Sequence, residues 1–458
     1  MKSEISPHIF RAYDIRGLYG KDIDPLLFYK IGLSAGTYVK KDMEEKTMAV
    51  GNDIRQSSHC LVHAFIAGVT ATGVNVSFTQ TTSFGQTLYA GWESKKDLIA
   101  FVTASHLPPE WNGIKFYYGD GVGLPEEELN QIRDNTLQRN WAKKDFSKVG
   151  RVTVVDAKRK YEDFFNKSFQ IHKKIRVAVD CGGASMTLSA PKIFTNLGLD
   201  LVSVYCDPDP LFSQRPSDPK PENLETLKQT VRDKKCDFGV AFDGDGDRSV
   251  IVDNKGNVLS ADETGIIIGK YGLDGKKGTI IANVECSKSV GEQLTPLGHT
   301  IKKIQVGHTF LTLHAKKENA LLGIESSGHL ILPEYYLFDD ALVIPLKIAE
   351  ILDKTDKSLA ELRSEIPSYP TRKIEISCPD DIKFEVMKQL KKTCAETYEK
   401  TNTLDGIRID FPEGWVLIRA SNTSPLIRLT SEAKSKDYVD NFVKTFSKKT
   451  QKVIDSFS

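Results

Sequence analysis

The sequence predicts an α/β protein with three related α/β domains, whose sheets are mixed, and a smaller C-terminal α+β domain. Short apolar runs rich in β-branched residues, such as "DLIAFV", "IRVAVD" and "DFGVAF", alternate with helix-like stretches, and this alternation is typical of α/β layers. The runs are apolar without a break, which indicates strands covered by helices on both faces. After about residue 369 an amphipathic helix is followed by strands of alternating polarity. That pattern is typical of an antiparallel sheet with one solvated face.

Changes in composition divide the chain into four predicted domains. A polar, basic stretch near 140–156, a turn-rich stretch near 252–263 and a segment with two prolines near 363–376 mark the boundaries. We therefore expect domains at residues 1–150, 151–255, 256–368 and 369–458. The segments "AVGNDIRQSS", "VAVDCGGASM" and "IIANVECSKSV" look alike. Each has an apolar strand, small or acidic residues and then a serine at the expected start of a helix, so we interpret them as a repeated α/β unit.

Composition and charge argue against several classes of function. Of the 458 residues, 40% are hydrophobic and 27% charged, as in ordinary globular proteins. The net charge of +1 gives no indication of binding to nucleic acid or to a membrane surface. No apolar run reaches the roughly 18 residues of a membrane span, and we expect no signal peptide.

The cysteines and the charge also bear on location and assembly. The seven cysteines are scattered and form no C-x-x-C pair, so we expect reduced thiols and a cytoplasmic protein. The near-neutral charge and the lack of a coiled-coil repeat favour a monomer.

Three aspartates follow an apolar strand in "AFDGDGDRSVI". Asp243, Asp245 and Asp247 alternate with glycines, which allow the backbone to fold tightly around one point. Their carboxylates would repel one another without a cation, and Mg²⁺ prefers such oxygen ligands. An EF-hand is excluded, since Arg248 and Asn254 stand where that loop has glycine and glutamate. An Asp-Gly turn is the alternative, and we favour the magnesium site.

Ser105 lies at the end of another apolar strand, in "TASHLPPEWNGIKF". Ligand sites of α/β sheets lie at such strand ends. A serine hydroxyl is a weak nucleophile unless a neighbouring group activates it, and His106 or Lys115 could handle the proton. A helix N-cap serine is the alternative interpretation. Ser105 does not lie in a G-x-S-x-G motif, which argues against acyl transfer by this serine.

Two more polar loops follow apolar strands. The loop in "GWVLIRASNTSP" offers a guanidinium and hydroxyls that suit a phosphate, although a polar turn is the alternative. The chain has neither a P-loop nor a G-x-G-x-x-G motif, so a nucleotide is not indicated. In "GIESSGHL", the carboxylate of Glu325 and the hydroxyl of Ser327 suit neighbouring sugar hydroxyls. Arg16 could face a ligand or form a surface ion pair of little energetic value. His308 could face a ligand or be a loop residue whose hydrogen bonds are satisfied within the protein.

Taken together, these stretches resemble the α-D-phosphohexomutase superfamily, in particular its phosphomannomutase/phosphoglucomutase branch. The match follows the whole chain in order through "YDIRG", "TASH" with "NGIK", "DGDGDR", "GH" at 307–308, "ESSGH" and "RASNTSP". The resemblance implies four domains around a central cleft. It also implies interconversion of hexose 1-phosphate and hexose 6-phosphate, of mannose or glucose, through a phosphoserine and a 1,6-bisphosphate. The implied cofactors are Mg²⁺ and, as activator, glucose or mannose 1,6-bisphosphate.

The resemblance further implies a role for each site residue. Ser105 would carry the phosphoryl group and would bind Mg²⁺ together with Asp243, Asp245 and Asp247. The residues that would stabilise charge and move protons are Arg16, His106, Lys115 and Arg248. The residues that would bind the sugar phosphate are His308, Glu325, Ser327, His329, Arg419, Ser421, Asn422, Thr423 and Arg428.

One departure from the family pattern concerns the serine loop. The loop usually has asparagine after "SH", and here it has Leu107, which cannot make an asparagine's loop hydrogen bonds. An inactive sugar-phosphate-binding protein is therefore one alternative. Phosphoglucosamine mutase is another, although the "RASNTSP" loop favours mannose or glucose, since the phosphoglucosamine branch usually has a glycine there. A phosphatase is a third, but a separate phosphate anchor has little use in simple hydrolysis.

Overall fold

The computed structural model describes residues 5–42, 47–421 and 425–457, and this part of the chain folds around four successive sheets. Three sheets contain both parallel and antiparallel strand pairs, and the fourth is antiparallel throughout. This arrangement confirms the predicted fold class. We call the parts built on the four sheets the first to fourth units. Among the described helices, none combines the length and apolarity of a membrane span.

The first unit has a six-stranded sheet in the order β1-β5-β4-β2-β3-β6. Its strands are β1 (Asp14–Leu18), β2 (Thr47–Asn52), β3 (Asn75–Thr81), β4 (Leu98–Val102), β5 (Trp111–Tyr118) and β6 (Val152–Val154). Its helices are α1 (Pro25–Asp42), α2 (Ser58–Thr70), α3 (Phe84–Glu93) and α4 (Glu126–Gln138), and α5 (Ala157–Ser168) packs against α3. The sheet is buried on both faces, since Met48 and Val50 join the core with α1 and α2 while Ala49 joins the core with α3. Strand β6 lies beyond residue 150, so the first sheet ends later than the predicted boundary.

The second and third units each have a four-stranded sheet. The second unit contains β7 (Arg176–Asp180), α6 (Ala190–Asn196), β8 (Asp200–Val204), α7 (Glu225–Asp233), β9 (Phe238–Phe242) and β10 (Ser249–Asp253). The third unit contains α8 (Ala261–Tyr271), β11 (Thr279–Asn283), α9 (Lys288–Leu294), β12 (Thr300–Ile304), α10 (His308–Glu318), β13 (Leu322–Ile324), β14 (Leu330–Ile331), α11 (Val343–Lys354) and α12 (Leu359–Ser364).

The first three units share one topology. In each, a central strand (β2, β7 or β11) pairs in parallel with a strand on either side. One of these neighbours continues through a hairpin loop into an antiparallel strand. Each of the three look-alike segments of the sequence begins within one of the three central strands and continues past its end. The hairpin loops are residues 103–110, 243–248 and 325–329, so Ser105, the three aspartates and Glu325 occupy corresponding loops of the three units.

The fourth unit has a five-stranded sheet in the order β15-β19-β18-β17-β16, covered by two helices. Its elements are β15 (Thr371–Ser377), α13 (Lys383–Thr397), β16 (Thr401–Asn402), β17 (Ile407–Asp410), β18 (Gly414–Ala420), β19 (Leu426–Ala433) and α14 (Lys436–Asp455). Val416 and Ile418 pack under the helices. The prediction of a solvated second face is wrong at Trp415 and Leu417, which are buried against Val284 of the third unit. The fourth unit is therefore docked on the third.

Candidate active site

Ser105 is buried in the hairpin loop between β4 and β5. Its hydroxyl donates a hydrogen bond to Asp243 Oδ2 at 2.9 Å and lies 3.3 Å from Nδ1 of His106. The backbone of Ser105 has φ +52°, in the left-handed region that residues other than glycine seldom adopt. The surrounding structure must therefore hold this serine in place, directly against the acidic loop of the second unit.

Two side chains hold the serine loop through its backbone. Arg55 is fully buried and donates hydrogen bonds of 2.6 to 3.2 Å to the carbonyl oxygens of three loop residues, Ser105, Leu107 and Pro108, and of Trp111 at the start of β5. The hydroxyl of Ser217 lies 2.8 Å from the carbonyl oxygen of His106 and 2.9 Å from that of Leu107. The loop is thus fixed through its carbonyl groups, and its shape does not require an asparagine side chain at position 107.

Sequence reasoning missed both Arg55 and Ser217. Arg55 also forms a buried ion pair with Asp53 at 3.0 Å. Two opposite charges directly after the apolar strand β2 could have indicated such a buried pair from the sequence. A buried charge is seldom found unpaired, so the pair indicates a structural role for Arg55 at that strand end. Ser217 lies in the proline-rich connection before the metal loop, and its type alone gives no comparable signal.

The three aspartates fold around one point, as the glycine spacing predicts. Each offers a carboxylate oxygen within 4.8 Å of the other two, and all three residues are buried. Burial and the neighbouring carboxylates raise the pKa of Asp243 to about 8 and that of Asp247 to about 6. Lys115 donates hydrogen bonds to Asp245, at 2.9 Å, and to Asp247.

The lysine compensates this negative charge only in part. One oxygen of Asp245 and one of Asp247 have no hydrogen-bond partner within the described residues. Buried carboxylates that repel one another and retain unpaired oxygens form a suitable ligand set for a hard divalent cation. The donor set present therefore fits the predicted magnesium site.

Arg248 connects the acidic loop to the third unit. Its Nε lies 3.3 Å from Asp243 Oδ2, and its Nη2 lies 3.5 Å from Asp218 Oδ1. On the other side, its Nη1 donates a hydrogen bond to the carbonyl oxygen of Ser327 at 3.2 Å. The loop with the aspartates and the loop with Glu325 are thus held side by side.

Arg16 and His106 are two further polar residues near Ser105. Arg16 lies on β1 and pairs with Asp14 at 2.7 Å. Burial, followed by the positive charges of Arg248, Arg16 and Lys115, holds the pKa of His106 well below its usual range. The imidazole beside the serine is therefore neutral, and it is a weak base in these surroundings.

The loop with Glu325 presents a fixed carboxylate and a hydroxyl. Glu325 is buried. Its Oε2 accepts a hydrogen bond from the backbone N–H of Gly307 at 3.0 Å, and its Oε1 accepts one from the hydroxyl of Ser327 at 2.7 Å. Both residues therefore have a defined orientation before any ligand binds.

Two histidines lie together beside this loop, with His308 and His329 ring centroids 5.6 Å apart. His329 Nδ1 lies 2.5 Å from Asp339 Oδ2, and His308 Nδ1 lies 3.0 Å from the hydroxyl of Tyr117. Burial lowers the pKa of His308 to about 3, so this imidazole is neutral. Its Nε2 is buried with no hydrogen-bond partner in the described part of the chain, which leaves one ring nitrogen for a ligand.

The fourth unit contributes Arg419 at the end of β18. Arg419 Nη1 lies 3.1 Å from Glu285 Oε1, and Nη2 lies 3.2 Å from Asp405 Oδ2. Glu285 in turn accepts a hydrogen bond from Ser326 at 3.3 Å, so Arg419 is connected to the loop that contains Glu325. Sequence reasoning missed Glu285, which follows the central strand of the third unit.

The remaining predicted phosphate-binding residues lie next to Arg419 in the chain or in the sheet. Ser421 is buried, and Asn422 and Thr423 lie outside the described residues. Arg428 is directly opposite Arg419 in the β18–β19 pair. Its side chain is nearly half exposed and pairs with Glu375 at 3.4 Å, so the structure ties it less closely to the other site residues.

The chain matches known proteins along its whole length. Four family models match, described as phosphoglucomutase/phosphomannomutase alpha/beta/alpha domains I, II and III and C-terminal domain, over residues 7–143, 157–256, 260–369 and 374–449. A probable phosphoglucosamine mutase of Methanosarcina acetivorans is 34% identical over 430 residues, which cover 93% of this chain and 96% of that protein. A phosphomannomutase/phosphoglucomutase of Pseudomonas aeruginosa is 32% identical over 452 residues, which cover 98% and 96%.

A solved structure agrees with these sequence matches. The crystal structure of a phosphoglucomutase/phosphomannomutase family protein from Burkholderia thailandensis superimposes with a TM-score of 0.89 and 25% identity, and the match covers 98% of both chains. The resemblance inferred from the motifs is confirmed. The chain therefore belongs to the phosphoglucomutase/phosphomannomutase family of the α-D-phosphohexomutase superfamily.

Proposed function

We propose that this phosphohexomutase interconverts the 1-phosphates and 6-phosphates of mannose or glucose, and that Ser105 carries the transferred phosphoryl group. The observation that supports the proposal most strongly is the 2.9 Å hydrogen bond from the buried Ser105 hydroxyl to Asp243, within a cluster of three carboxylates. A serine with only a structural role would not need this contact. The contact places one more polar group beside three buried carboxylates.

The reaction consists of two phosphoryl transfers. In the first, the bond from phosphorus to Ser105 Oγ breaks and a bond to the free hydroxyl of the hexose monophosphate forms, which gives a 1,6-bisphosphate. The proton of that hydroxyl passes to a base of the site, and His106 is the candidate nearest to Ser105, although burial makes its neutral imidazole a weak base. After the bisphosphate turns, the bond between its other phosphorus and the sugar oxygen breaks, and that phosphoryl group returns to Ser105 Oγ. The base returns its proton to the sugar oxygen, and the isomeric monophosphate leaves.

Three aspartates and the phosphate on Ser105 would hold Mg²⁺. When bound, this ion would offset charge on the transferring phosphoryl group. Lys115 and Arg248 already contact the aspartates and would stabilise charge at the same place, and Arg16 would assist them. Glucose or mannose 1,6-bisphosphate would serve as the activator that restores phosphate to Ser105.

The sugar and its second phosphate would bind away from the serine. Glu325 and Ser327 would contact sugar hydroxyls that keep a similar place in both orientations, with His308 and His329 beside them. The phosphate that is not reacting would bind to the last unit, at Arg419, Ser421, Asn422, Thr423 and Arg428. The buried, pre-oriented carboxylate of Glu325 supports this role, because fixed groups lose little freedom on binding.

A phosphoglucosamine mutase is the second candidate, because several relatives, including that of Methanosarcina acetivorans, bear that name. The deciding experiment compares kcat/KM for mannose 1-phosphate, glucose 1-phosphate and glucosamine 1-phosphate, with Mg²⁺ and a trace of glucose 1,6-bisphosphate. Preference for the first two would support the proposal, and preference for the third would replace it. No turnover of any of the three would favour a binding protein without catalysis.

The monomeric state and the cytoplasmic location stay predictions, which size-exclusion chromatography and cell fractionation would test.

A further inference from the structure

Four charged side chains form one cluster where the third and fourth units meet, which we call the clasp: Glu285, Lys373, Asp405 and Arg419. Glu285 lies in the loop between β11 and α9 of the third unit, and the other three belong to the fourth unit. Arg419 lies 3.1 Å from Glu285 and 3.2 Å from Asp405, and Lys373 Nζ lies 3.5 Å from the second oxygen of Glu285. The clasp therefore joins the two units by charge.

The charges of the clasp cancel, which matters for a phosphate anchor. Two cations face two carboxylates, so the cluster has no net charge with which to attract a phosphate. The Glu285 side chain is only 11% exposed, so water screens this carboxylate little. The Nε of Arg419 is buried and has no hydrogen-bond partner among the described residues, which leaves a donor for a further acceptor. A phosphate that binds Arg419 must compete with a carboxylate that is already there.

Of the two carboxylates that contact Arg419, Glu285 is the one that can separate from it. Asp405 belongs to the same unit as Arg419 and moves with it, whereas Glu285 belongs to the third unit. A displacement of the fourth unit relative to the third therefore breaks the contact of Arg419 with Glu285 and keeps its contact with Asp405. Glu285 also accepts a hydrogen bond from Ser326, the residue between Glu325 and Ser327 in sequence. Its carboxylate thus lies between the phosphate anchor and the loop that would bind the sugar.

We infer that Glu285 is a positioning residue that exchanges places with the non-reacting phosphate of the substrate at Arg419. The carboxylate pairs with Arg419 when the anchor is empty, and the phosphate replaces it in the complex. This inference rests on the proposed function, because it needs Arg419 to bind that phosphate. During the reaction the bisphosphate must leave the anchor and return with its other phosphate. Glu285 gives Arg419 a partner during that interval, which lowers the free-energy cost of release.

The test is the Glu285→Gln variant, which keeps the side chain's size and removes its charge. We expect the KM for the preferred hexose 1-phosphate to fall at least threefold, because the amide competes poorly for Arg419. The value of kcat falls as well, because the bisphosphate leaves the anchor more slowly. A joint fall of KM and kcat means that the enzyme binds the substrate more tightly without turning it over faster, as the loss of a competitor at Arg419 requires. A loss of structural support for Arg419 would raise KM instead.

Two further variants control the comparison. Glu396→Gln changes the net charge equally at an exposed position on α13, and we expect it to leave KM and kcat unchanged. Glu285→Asp keeps the charge on a shorter side chain, and we expect a smaller fall of KM than in Glu285→Gln. It also provides the measurement if Glu285→Gln does not fold, since unchanged or increased KM in Glu285→Asp would then contradict the exchange.

Binding of inorganic phosphate, measured by calorimetry, gives a readout that does not depend on turnover. We expect Glu285→Gln to bind phosphate at least threefold more tightly than the unmodified protein. A higher KM, or phosphate binding that is unchanged or weaker, would overturn the exchange. If the unmodified protein turns over no hexose phosphate, or if Arg419→Ala leaves its KM unchanged, the proposed function fails. Tighter phosphate binding by Glu285→Gln would still support competition at the clasp in that case.

Discussion

Replacing Ser217 by alanine tests whether the second unit positions the Ser105 loop of the first. The variant removes one hydroxyl, which lies 2.8 Å from the carbonyl oxygen of His106 and 2.9 Å from that of Leu107. It leaves Arg55, which holds the same loop from within the first unit. It also leaves the residues that would bind the sugar phosphate. We therefore expect a change in how well Ser105 is placed and little change in substrate binding.

The size of the effect follows from the hydrogen bonds. A hydroxyl has one proton, so the two contacts of Ser217 amount to one shared hydrogen bond. Such a bond contributes about 0.5–1.5 kcal/mol net, which corresponds to a factor of roughly 2 to 12 in rate. The strained backbone of Ser105, at φ +52°, favours escape from the productive geometry once a support is lost. We expect kcat to fall within that range and KM to stay within about twofold.

The assay is steady-state turnover of the preferred hexose 1-phosphate, with thermal unfolding measured on the same samples. Ser213→Ala is the matched control, because Ser213 lies in the same connecting segment and its hydroxyl donates to Asp209 at 2.6 Å instead. Ser217→Thr keeps a hydroxyl and should recover most of the rate. If Ser217→Ala lowered only the melting temperature and left kcat unchanged, the hydroxyl would have a structural role alone and the reasoning would be refuted.

Three other predictions concern the two loops that meet at Ser105. Ser105→Ala should abolish turnover and should gain no phosphoryl group from a hexose 1,6-bisphosphate by intact mass, and a variant with most of its rate would contradict the phosphoserine. Chelation should abolish turnover and Mg²⁺ should restore it, with Asp245→Asn requiring more Mg²⁺; full activity in excess chelator would exclude the metal. In Gly244→Ala, the new Cβ would lie 2.2 Å from the carbonyl oxygen of Ser105, so the loops must move apart. We expect kcat to drop at least tenfold there, and an unchanged kcat would show that the loops need not touch.

Much of the fold and the choice of site loops could be predicted from the sequence, because the loops with Ser105, the three aspartates and Glu325 directly follow apolar runs. Strands buried on both faces produce such runs, and the ends of the strands are where α/β sheets bind ligands. The position of Ser105 after β4 and of Asp243 after β9 follows from that rule. The alternating glycines of the acidic loop also predict correctly that its three carboxylates converge.

The contacts that hold these loops could not be predicted in the same way. Arg55 and Ser217 act on the serine loop from about 50 and 110 positions away in the sequence. Whether such residues meet depends on how the units pack, which local periodicity does not encode. The same reason explains the wrong prediction for the last sheet: Trp415 follows an alternating pattern, but its face packs against the third unit instead of water.

The repeated topology explains why the site lies between units and not within one. Each of the first three units offers the hairpin loop between a strand parallel to its central strand and the antiparallel strand that follows, and each loop supplies a different chemical group. Ser105 and the three carboxylates lie in different units: the hydroxyl of Ser105 reaches Asp243 across the first boundary, and Arg248 reaches Ser327 across the second. The relative placement of the units therefore sets the distances between the atoms that would react in the proposed mechanism. Substitutions at boundary residues such as Ser217 and Glu285 should accordingly change kinetic constants more than they change the stability of any one unit.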